Sequence, residues 1–444
     1  MNILLVHPKD RFELFSSRSV APMWAAVLKR LTPESHNVDF ISCGFERLNE
    51  KTLEGYDLVG ISATTPVAHS AYEIAGLCRT KNIKVIIGGL HASLLPDEVA
   101  KYADSIVFGE SEYLWNQILE DKVSDKLQQY YHGSIVKAED IAIPDYSIMK
   151  KYNYFTTNSI EAMRGCPNAC DFCCATYFSG NTIRYKPLDL VIQEVESWKT
   201  KKVGYLASAN IASNFNKAKE LFTTLKPFNR KWMGDACVNV TGDDELLKLM
   251  SDSGLAYLEV GFETLSKKSL KLINKKINLK HDYKDAIKRL HDNNISIVGT
   301  FIFGLDTDEK DVFKKTMDFV YDAEIDIPVY LVFTPFPGTK PYSKLDAEGR
   351  ILTKDWSRYT GLDVVYQPKM MSREELLAGL IEIWEDALSF RGIANRLLSQ
   401  WRGFKGDFYF TVINLFLRNK SKFLKKYYPW EGIDLPDHIS ARKK

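Results

Sequence analysis

The chain has 444 residues, 26% of them charged, and its 59 Lys and Arg against 57 Asp and Glu leave a net charge of only +2. That length exceeds one ordinary core and predicts two or three domains, and a charge so near balance gives no reason to expect nucleic acid as a partner. Seven cysteines, an odd number gathered mostly in one loop, argue against a disulfide framework and for a reducing compartment. The opening run Ile3-Leu4-Leu5-Val6 is cut off by His7-Pro8, too short for a secretion signal, so a cytoplasmic location is expected.

From Met1 to about Leu119, short apolar runs alternate with helical stretches: Ile3-Val6, Val38-Ile41, Leu58-Ile61, Val85-Ile87 and Ser105-Phe108. Five such β runs joined by crossover helices predict a doubly wound parallel sheet in an α/β domain over 1–135. A first helix begins after Pro22, with Met23, Ala26, Val27 and Arg30 at helical spacing. Ligands of such sheets bind at the carboxyl ends of the strands, near the switch in strand order. The residues there are Ser62-Ala63-Thr64-Thr65, Gly88-Gly89-Leu90-His91 and Gly109-Glu110. Strand-end glycines let a large ligand approach the backbone, and neighbouring hydroxyls can take its polar arms; equally, Gly88-Gly89 can serve only the tight turn. His7 and His91 occupy positions where loop or core histidines are commoner than ligands. Residues 136–155, with Ile143-Pro144-Asp145, read as a linker between domains.

Next comes Arg164-Gly165-Cys166-Pro167-Asn168-Ala169-Cys170-Asp171-Phe172-Cys173, in which Cys166, Cys170 and Cys173 form C-x3-C-x2-C. Thiolates on one short loop suit zinc or an iron–sulfur cluster. A zinc site would want a second Cys or His pair nearby, and none follows. Three cysteines leave one iron of a [4Fe–4S] cluster open, which suits a cluster that binds and reduces something. Cys174 is outside the motif and reads as a packed or substrate-facing thiol.

These residues, with Phe172 just before the last cysteine, resemble the radical S-adenosylmethionine enzymes. The resemblance implies that S-adenosylmethionine occupies the open iron near Phe172 and is cleaved reductively to methionine and a 5′-deoxyadenosyl radical, with a flavodoxin or ferredoxin as electron donor. Upstream, Ile87-Gly88-Gly89-Leu90-His91 through Gly109-Glu110-Ser111-Glu112 resembles the cobalamin-binding domain that precedes many such cores. It implies a cobalamin site at Thr64, Thr65, Gly88, Gly89, His91, Gly109 and Glu110. The motif Asp-x-His-x-x-Gly is absent, so a bound cobalamin is expected with its own base displaced and no histidine of that motif on the metal. Some relatives keep this domain's shape without cobalamin.

Beyond Arg184-Tyr185-Lys186-Pro187 the βα alternation resumes, with a helix over Ile192–Trp198 and β runs at Val203–Leu206, Trp232–Val238, Ala256–Val260, Ser296–Phe303 and Pro328–Phe333. A strand near Tyr154–Ile160 makes about six β/α units, fewer than the eight of a full barrel. The resemblance implies the family's partial (β/α)6 barrel over 156–345. Val260-Gly261-Phe262-Glu263-Thr264 resembles the strand end where a carboxylate holds ribose hydroxyls of S-adenosylmethionine or a substrate, which makes Glu263 a catalytic and cofactor-binding candidate. Its alternative is a strand-end salt bridge. Thr300-Phe301-Ile302-Phe303-Gly304-Leu305 resembles the strand against the adenine, implying contacts from Phe303 and Gly304, and Phe333–Thr339 the closing strand and turn; Gly304 and Gly338 can equally be turn glycines. Relatives often carry an acidic pair before Asn210, beside the amino group of S-adenosylmethionine. Here Ser208 and Ala209 replace it, at a loss of about 1.5–3 kcal/mol for a desolvated charge-assisted bond.

Residues 346–444 change to a mostly helical pattern. Ser372 and Glu375 read as a capping box opening a helix, and this helix with Asp355–Tyr359 resembles a tail of cobalamin-dependent relatives, expected to close the barrel mouth. Over 408–426 a basic amphipathic helix fits either peripheral membrane contact or docking on the protein; residues 401–444 hold ten Lys and Arg against four Asp and Glu. The expected function is cobalamin-dependent methylation of an unactivated carbon in a small or lipid-like substrate. Radical cyclisation, rearrangement or oxidation without methyl transfer is the alternative, and a non-catalytic cobalamin sensor or electron-transfer protein is the reading from another class.

Overall fold

A computed structural model describes residues 1–10, 20–199 and 203–399, so the stretch 408–426 lies outside the described residues. The first sheet comprises Asn2–His7 (β1), Asn37–Ser42 (β2), Leu58–Ser62 (β3), Lys84–Gly88 (β4), Ser105–Phe108 (β5) and Tyr130–His132 (β6). All pairings are parallel, in the order β2-β1-β3-β4-β5-β6. Ile3, Leu4, Leu5 and Val6 are fully buried, as expected of a strand covered on both faces. Strand β6 was not expected from the sequence, because Tyr130-Tyr131-His132 lacks an apolar run.

The two faces of this sheet carry different cores. Leu4, Val6, Val59 and Ile61 join a core that runs into the second domain, whereas Ile3, Leu5, Phe40, Leu58 and Trp115 form a separate one. Met149, Tyr152 and Tyr154, from the stretch read as a linker, are buried in that second core. The segment is therefore packed along the first domain: Tyr152 takes an N–H from Ser42 at 3.1 Å and donates to the Phe40 carbonyl at 3.2 Å.

The second domain starts at Ser159–Ile160 (β7), followed by a small antiparallel hairpin of Met163–Arg164 (β8) and Arg184–Tyr185 (β9). Then come Gly204–Leu206 (β10), Trp232–Ala236 (β11), Leu255–Glu263 (β12), Ser296–Phe303 (β13) and Ile327–Val332 (β14). Strands β14-β13-β12-β11-β10-β7 make one six-stranded parallel sheet, the partial barrel implied by the family. The helix expected over Ile192–Trp198 runs from Leu188 to Ser197.

The capping box forms, with Ser372 Oγ accepting from the Glu375 N–H and Glu375 Oε2 from the Ser372 N–H. Its helix, Arg373–Ala387, packs on the last two strands, with Leu376 against the Gly304 turn at the carboxyl end of β13. Trp384 donates to the Tyr330 carbonyl at 3.0 Å and meets that ring edge-on, so the helix covers the outer face of β14. Trp356 packs instead on the first domain, donating to Glu98 at 2.7 Å beside His91. Among the described residues no helix is long and apolar enough to cross a membrane.

Candidate active site

The cysteine loop is the excursion between β8 and β9. Gly165, at φ +91°, starts it where any Cβ would collide with the Thr182 carbonyl, so only glycine serves. Cys166 and Cys170 are buried and Cys173 partly so. The loop is pinned to the far side of the barrel: the Asp171 N–H donates to the Ile273 carbonyl at 3.1 Å, and Asn274 Nδ2 to the Ala169 carbonyl at 2.5 Å. Burial pushes the Cys170 thiol up to about 12 and raises Cys173 as well. A coordinated metal would remove those protons.

Two residues that the sequence did not single out complete this chamber. Cys237, just past β11, is buried, and its Sγ accepts from Asn168 Nδ2 of the cysteine loop at 3.5 Å. Lys275 Nζ lies 2.8 Å from Glu263 Oε1 and 5.8 Å from the centre of the Phe172 ring. Burial works against the Lys275 charge, but Glu263, Cys237 and Cys170 outweigh it and raise its pKa. Glu263 thus makes the strand-end salt bridge, at a register break in β12 and with φ at +63°. The reason for Gly261 follows: a Cβ there would strike Glu263 Oε1. A left-handed non-glycine residue costs roughly 1–3 kcal/mol and persists only where its surroundings hold it.

Asn210 is fully buried; its Oδ1 accepts from the Cys237 N–H at 3.1 Å, while its Nδ2 and the nearby Ser208 Oγ have no partner. Buried polar atoms are ordinarily paired, so these two are free to bond a ligand. Further along the strands, Tyr205 donates to Asp235 at 2.5 Å and Thr300 to Glu259 at 3.2 Å, with Asp235 in register with Glu259. Burial, then Glu259, raise Asp235 to about 7, and burial raises Glu259 too, although its side chain is exposed.

A cavity of about 230 Å³ opens at the strand ends of the first domain, lined by Gly60, Ser62, Gly88, Gly89, Gly109 and Trp24. Gly89, at φ +90°, could carry no side chain, since its Cβ would lie 2.7 Å from Ser62 Oγ. The same cavity is walled by Glu161, Arg164, Phe178 and Ser179 from around the cysteine loop. There the domains are joined by buried ion pairs. Arg184 meets both Glu110 oxygens at 2.6 and 2.7 Å, and Arg164 meets Glu112 at 2.7 Å and Glu161 at 2.6 Å. Glu110 also takes the Val136 N–H; burial opposes its charge, but Arg184 and that N–H hold its pKa below the usual value.

Five expected cofactor residues fall elsewhere. His91 is fully buried with its ring nitrogens against Tyr72 (2.9 Å) and Thr65 (3.3 Å), a core histidine on the side facing Trp356. Thr65 is buried with it, and Thr64 is exposed outside the cavity lining. Phe303 packs its ring on Phe313 of an outer helix at 4.7 Å, so strand alternation turns Thr300 and Ile302 inward instead. Gly304, at φ +93°, is a turn glycine under Tyr366, whose hydroxyl binds its carbonyl. Phe172 and Asn210 do border the chamber.

These residues fit the implied groups. Among the described residues no three His, Cys, Asp or Glu converge on one ion position, and a cubane needs no such convergence because each thiolate holds a different iron. The first-domain cavity is below the range that encloses a whole drug-sized ligand; it suits one arm of a larger molecule, with the indole N–H of Trp24 left unpartnered nearby.

Comparison with known proteins agrees. A radical SAM superfamily model matches residues 160–320 and a B12 binding domain model residues 18–119. The chain is 30% identical over 411 residues to bacteriochlorophyllide d C-12(1)-methyltransferase of Chlorobaculum tepidum, covering 89% of each. It is 29% identical over 393 residues to that organism's bacteriochlorophyllide d C-8(2)-methyltransferase, covering 82% of this chain and 86% of the other. With the anaerobic magnesium-protoporphyrin IX monomethyl ester cyclase of Cereibacter sphaeroides it shares 26% over 429 residues, 86% of this chain and 69% of the other. In fold it resembles the cobalamin-dependent radical enzyme OxsB, with a TM-score of 0.69 at 15% identity over 99% of this chain and 74% of that one.

Proposed function

The chain belongs to the cobalamin-binding radical S-adenosylmethionine enzymes, and we propose that it methylates an unactivated carbon of a hydrophobic small molecule. When bound, the cluster supplies the electron that cleaves S-adenosylmethionine and cobalamin supplies the methyl group. The observation that carries this reading is the shared cavity, in which Gly88 and Gly89 of the first domain and Arg164 and Ser179 beside the cysteine loop form one wall. Methyl donor and radical source would then meet at the boundary between the domains.

The chain's own residues have distinct tasks in this reading. Cys166, Cys170 and Cys173 hold the cluster, and Asn210 offers its free Nδ2 to a carboxylate of S-adenosylmethionine. Glu110, Arg164 and Arg184 set the separation of the two cofactor sites. Tyr205, Asp235, Glu259 and Thr300 form a polar floor for donor groups of the substrate. A tetrapyrrole macrocycle is the substrate class that the relatives support, since two act on bacteriochlorophyllide d. The cyclase supports a second reading, radical cyclisation without methyl transfer.

The test is anaerobic turnover of tetrapyrrole carboxylates by the cobalamin-loaded protein with a flavodoxin or ferredoxin as reductant. Methylation predicts two S-adenosylmethionine molecules consumed per product, one of them appearing as S-adenosylhomocysteine. A product with no methyl gain refutes it and leaves cyclisation.

A further inference from the structure

Cys237 does not belong to the C-x3-C-x2-C motif, yet it stands among those thiols. It is 6% exposed, its Sγ is the acceptor for Asn168 from within the cysteine loop, and its backbone N–H is tied to Asn210. Asn168 stands two residues after Cys166 and two before Cys170, so its hydrogen bond sets the Cys237 thiol against the motif loop itself. Cys237 is thus a fourth thiol, buried against the motif loop. A second observation marks the place as a ligand site: Asn210, which holds Cys237 in place, is fully buried with Nδ2 unpartnered, as is Ser208 Oγ.

Three motif thiolates leave one iron of a [4Fe–4S] cluster without a protein ligand. A soft sulfur already desolvated beside it is a better donor than water. Lys275, whose Nζ lies 5.8 Å from the ring of Phe172 in the motif loop, brings a buried positive charge to offset a fourth thiolate, and Asn168 supplies a hydrogen bond to that sulfur, both of which tune iron–sulfur sites.

Resting on the family reading above, we propose that Cys237 ligates the open iron in the absence of S-adenosylmethionine and is displaced when S-adenosylmethionine binds. In the exchange, one iron–sulfur bond breaks and the bonds to the amino and carboxylate groups of S-adenosylmethionine form; no electron moves, and the released thiolate stays beside Lys275. Closing the cluster with a fourth thiolate makes it more negative and harder to reduce. Electrons would then enter only after S-adenosylmethionine has arrived.

The experiment uses the full-length protein carrying a cluster whose exchangeable iron alone is 57Fe, with Mössbauer spectra recorded with and without S-adenosylmethionine for the wild type, Cys237→Ala and Cys237→Ser. The wild-type iron should resemble the three thiolate-bound irons until S-adenosylmethionine is added, and then shift. In Cys237→Ala it should be displaced beforehand, and in Cys237→Ser it should carry an oxygen-ligand shift. Without a ligand to displace, the apparent dissociation constant of S-adenosylmethionine should fall about tenfold in Cys237→Ala. Identical spectra for wild type and Cys237→Ala without S-adenosylmethionine overturn the proposal. Should both variants lose the cluster, the wild type decides alone: a thiolate-like signal supports Cys237, and an oxygen-type signal refutes it. Absence of any four-iron cluster in the wild type would instead overturn the family reading of the loop.

Discussion

Removing Arg184 tests whether the two domains are held together by buried charge. Its guanidinium makes four hydrogen bonds, to both Glu110 oxygens and to the carbonyls of Val136 and Ser179, at 2.6 to 2.8 Å. The paired side chains are 9% and 2% exposed. Breaking such a pair from one side costs about 3–5 kcal/mol, because an uncompensated charge stays buried. Arg184→Met leaves Glu110 with the Val136 N–H and with Arg164 at 3.2 Å, which places the loss near the lower bound, about 3 kcal/mol. Glu110→Gln keeps an acceptor for Val136 but leaves Arg184 short of its counter-charge, at a similar loss. The double variant removes both charges and should cost less than the two single changes added, by at least about 2 kcal/mol of coupling. Urea unfolding of the four proteins, followed by tryptophan fluorescence, measures the cycle. Because Arg184 also fixes the Ser179 carbonyl at the end of the cysteine loop, iron retention in Arg184→Met should fall in parallel. Single losses below about 1 kcal/mol, the range of exposed pairs, or strictly additive losses, would refute the reasoning.

Other outcomes follow from individual groups. Asp235 has a folded pKa raised from 3.8 to about 7, so its contribution is intact below the unfolded value and is lost as pH rises through about 7. Taken in full the shift is worth about 4 kcal/mol, which screening of the half-buried side chain reduces to roughly 2; Asp235→Asn should therefore flatten the stability profile between pH 4 and 8 and be more stable than wild type at pH 8 in thermal melts. Gly89→Ala should lose about 1–3 kcal/mol and retain no cobalamin on gel filtration, since its methyl would press on Ser62 and the Ala63 carbonyl; full cobalamin occupancy would exclude the cavity as its site. Lys275→Met strands Glu263 in a buried position and should cost about 3 kcal/mol, whereas Lys275→Met with Glu263→Gln should recover most of that in the same unfolding assay.

Much of this protein is legible from its sequence alone because the signals are local. C-x3-C-x2-C lies within one loop, and the runs that became β10 to β14 are apolar segments between turns, whose parallel pairing follows from the helices between them. The capping box at Ser372 and Glu375 is similarly local, three residues apart. Strand β6 was missed because its residues are stabilised by pairing with β5, without an apolar pattern of their own. Phe303 was misplaced because one residue's difference along a strand reverses which face a side chain takes.

What only the tertiary structure decided is which distant groups share a space. Cys237 is 69 residues from the Asn168 that binds it, and Arg184 is 74 residues from Glu110. No periodicity or spacing encodes such meetings. They follow from the carboxyl ends of parallel strands lying side by side, so that loops remote in sequence converge on one rim. The sequence by itself determined the C-x3-C-x2-C loop, the two α/β units and the glycines of the strand ends. The fold determined that a fourth thiol, a buried lysine and an interdomain set of charges surround them.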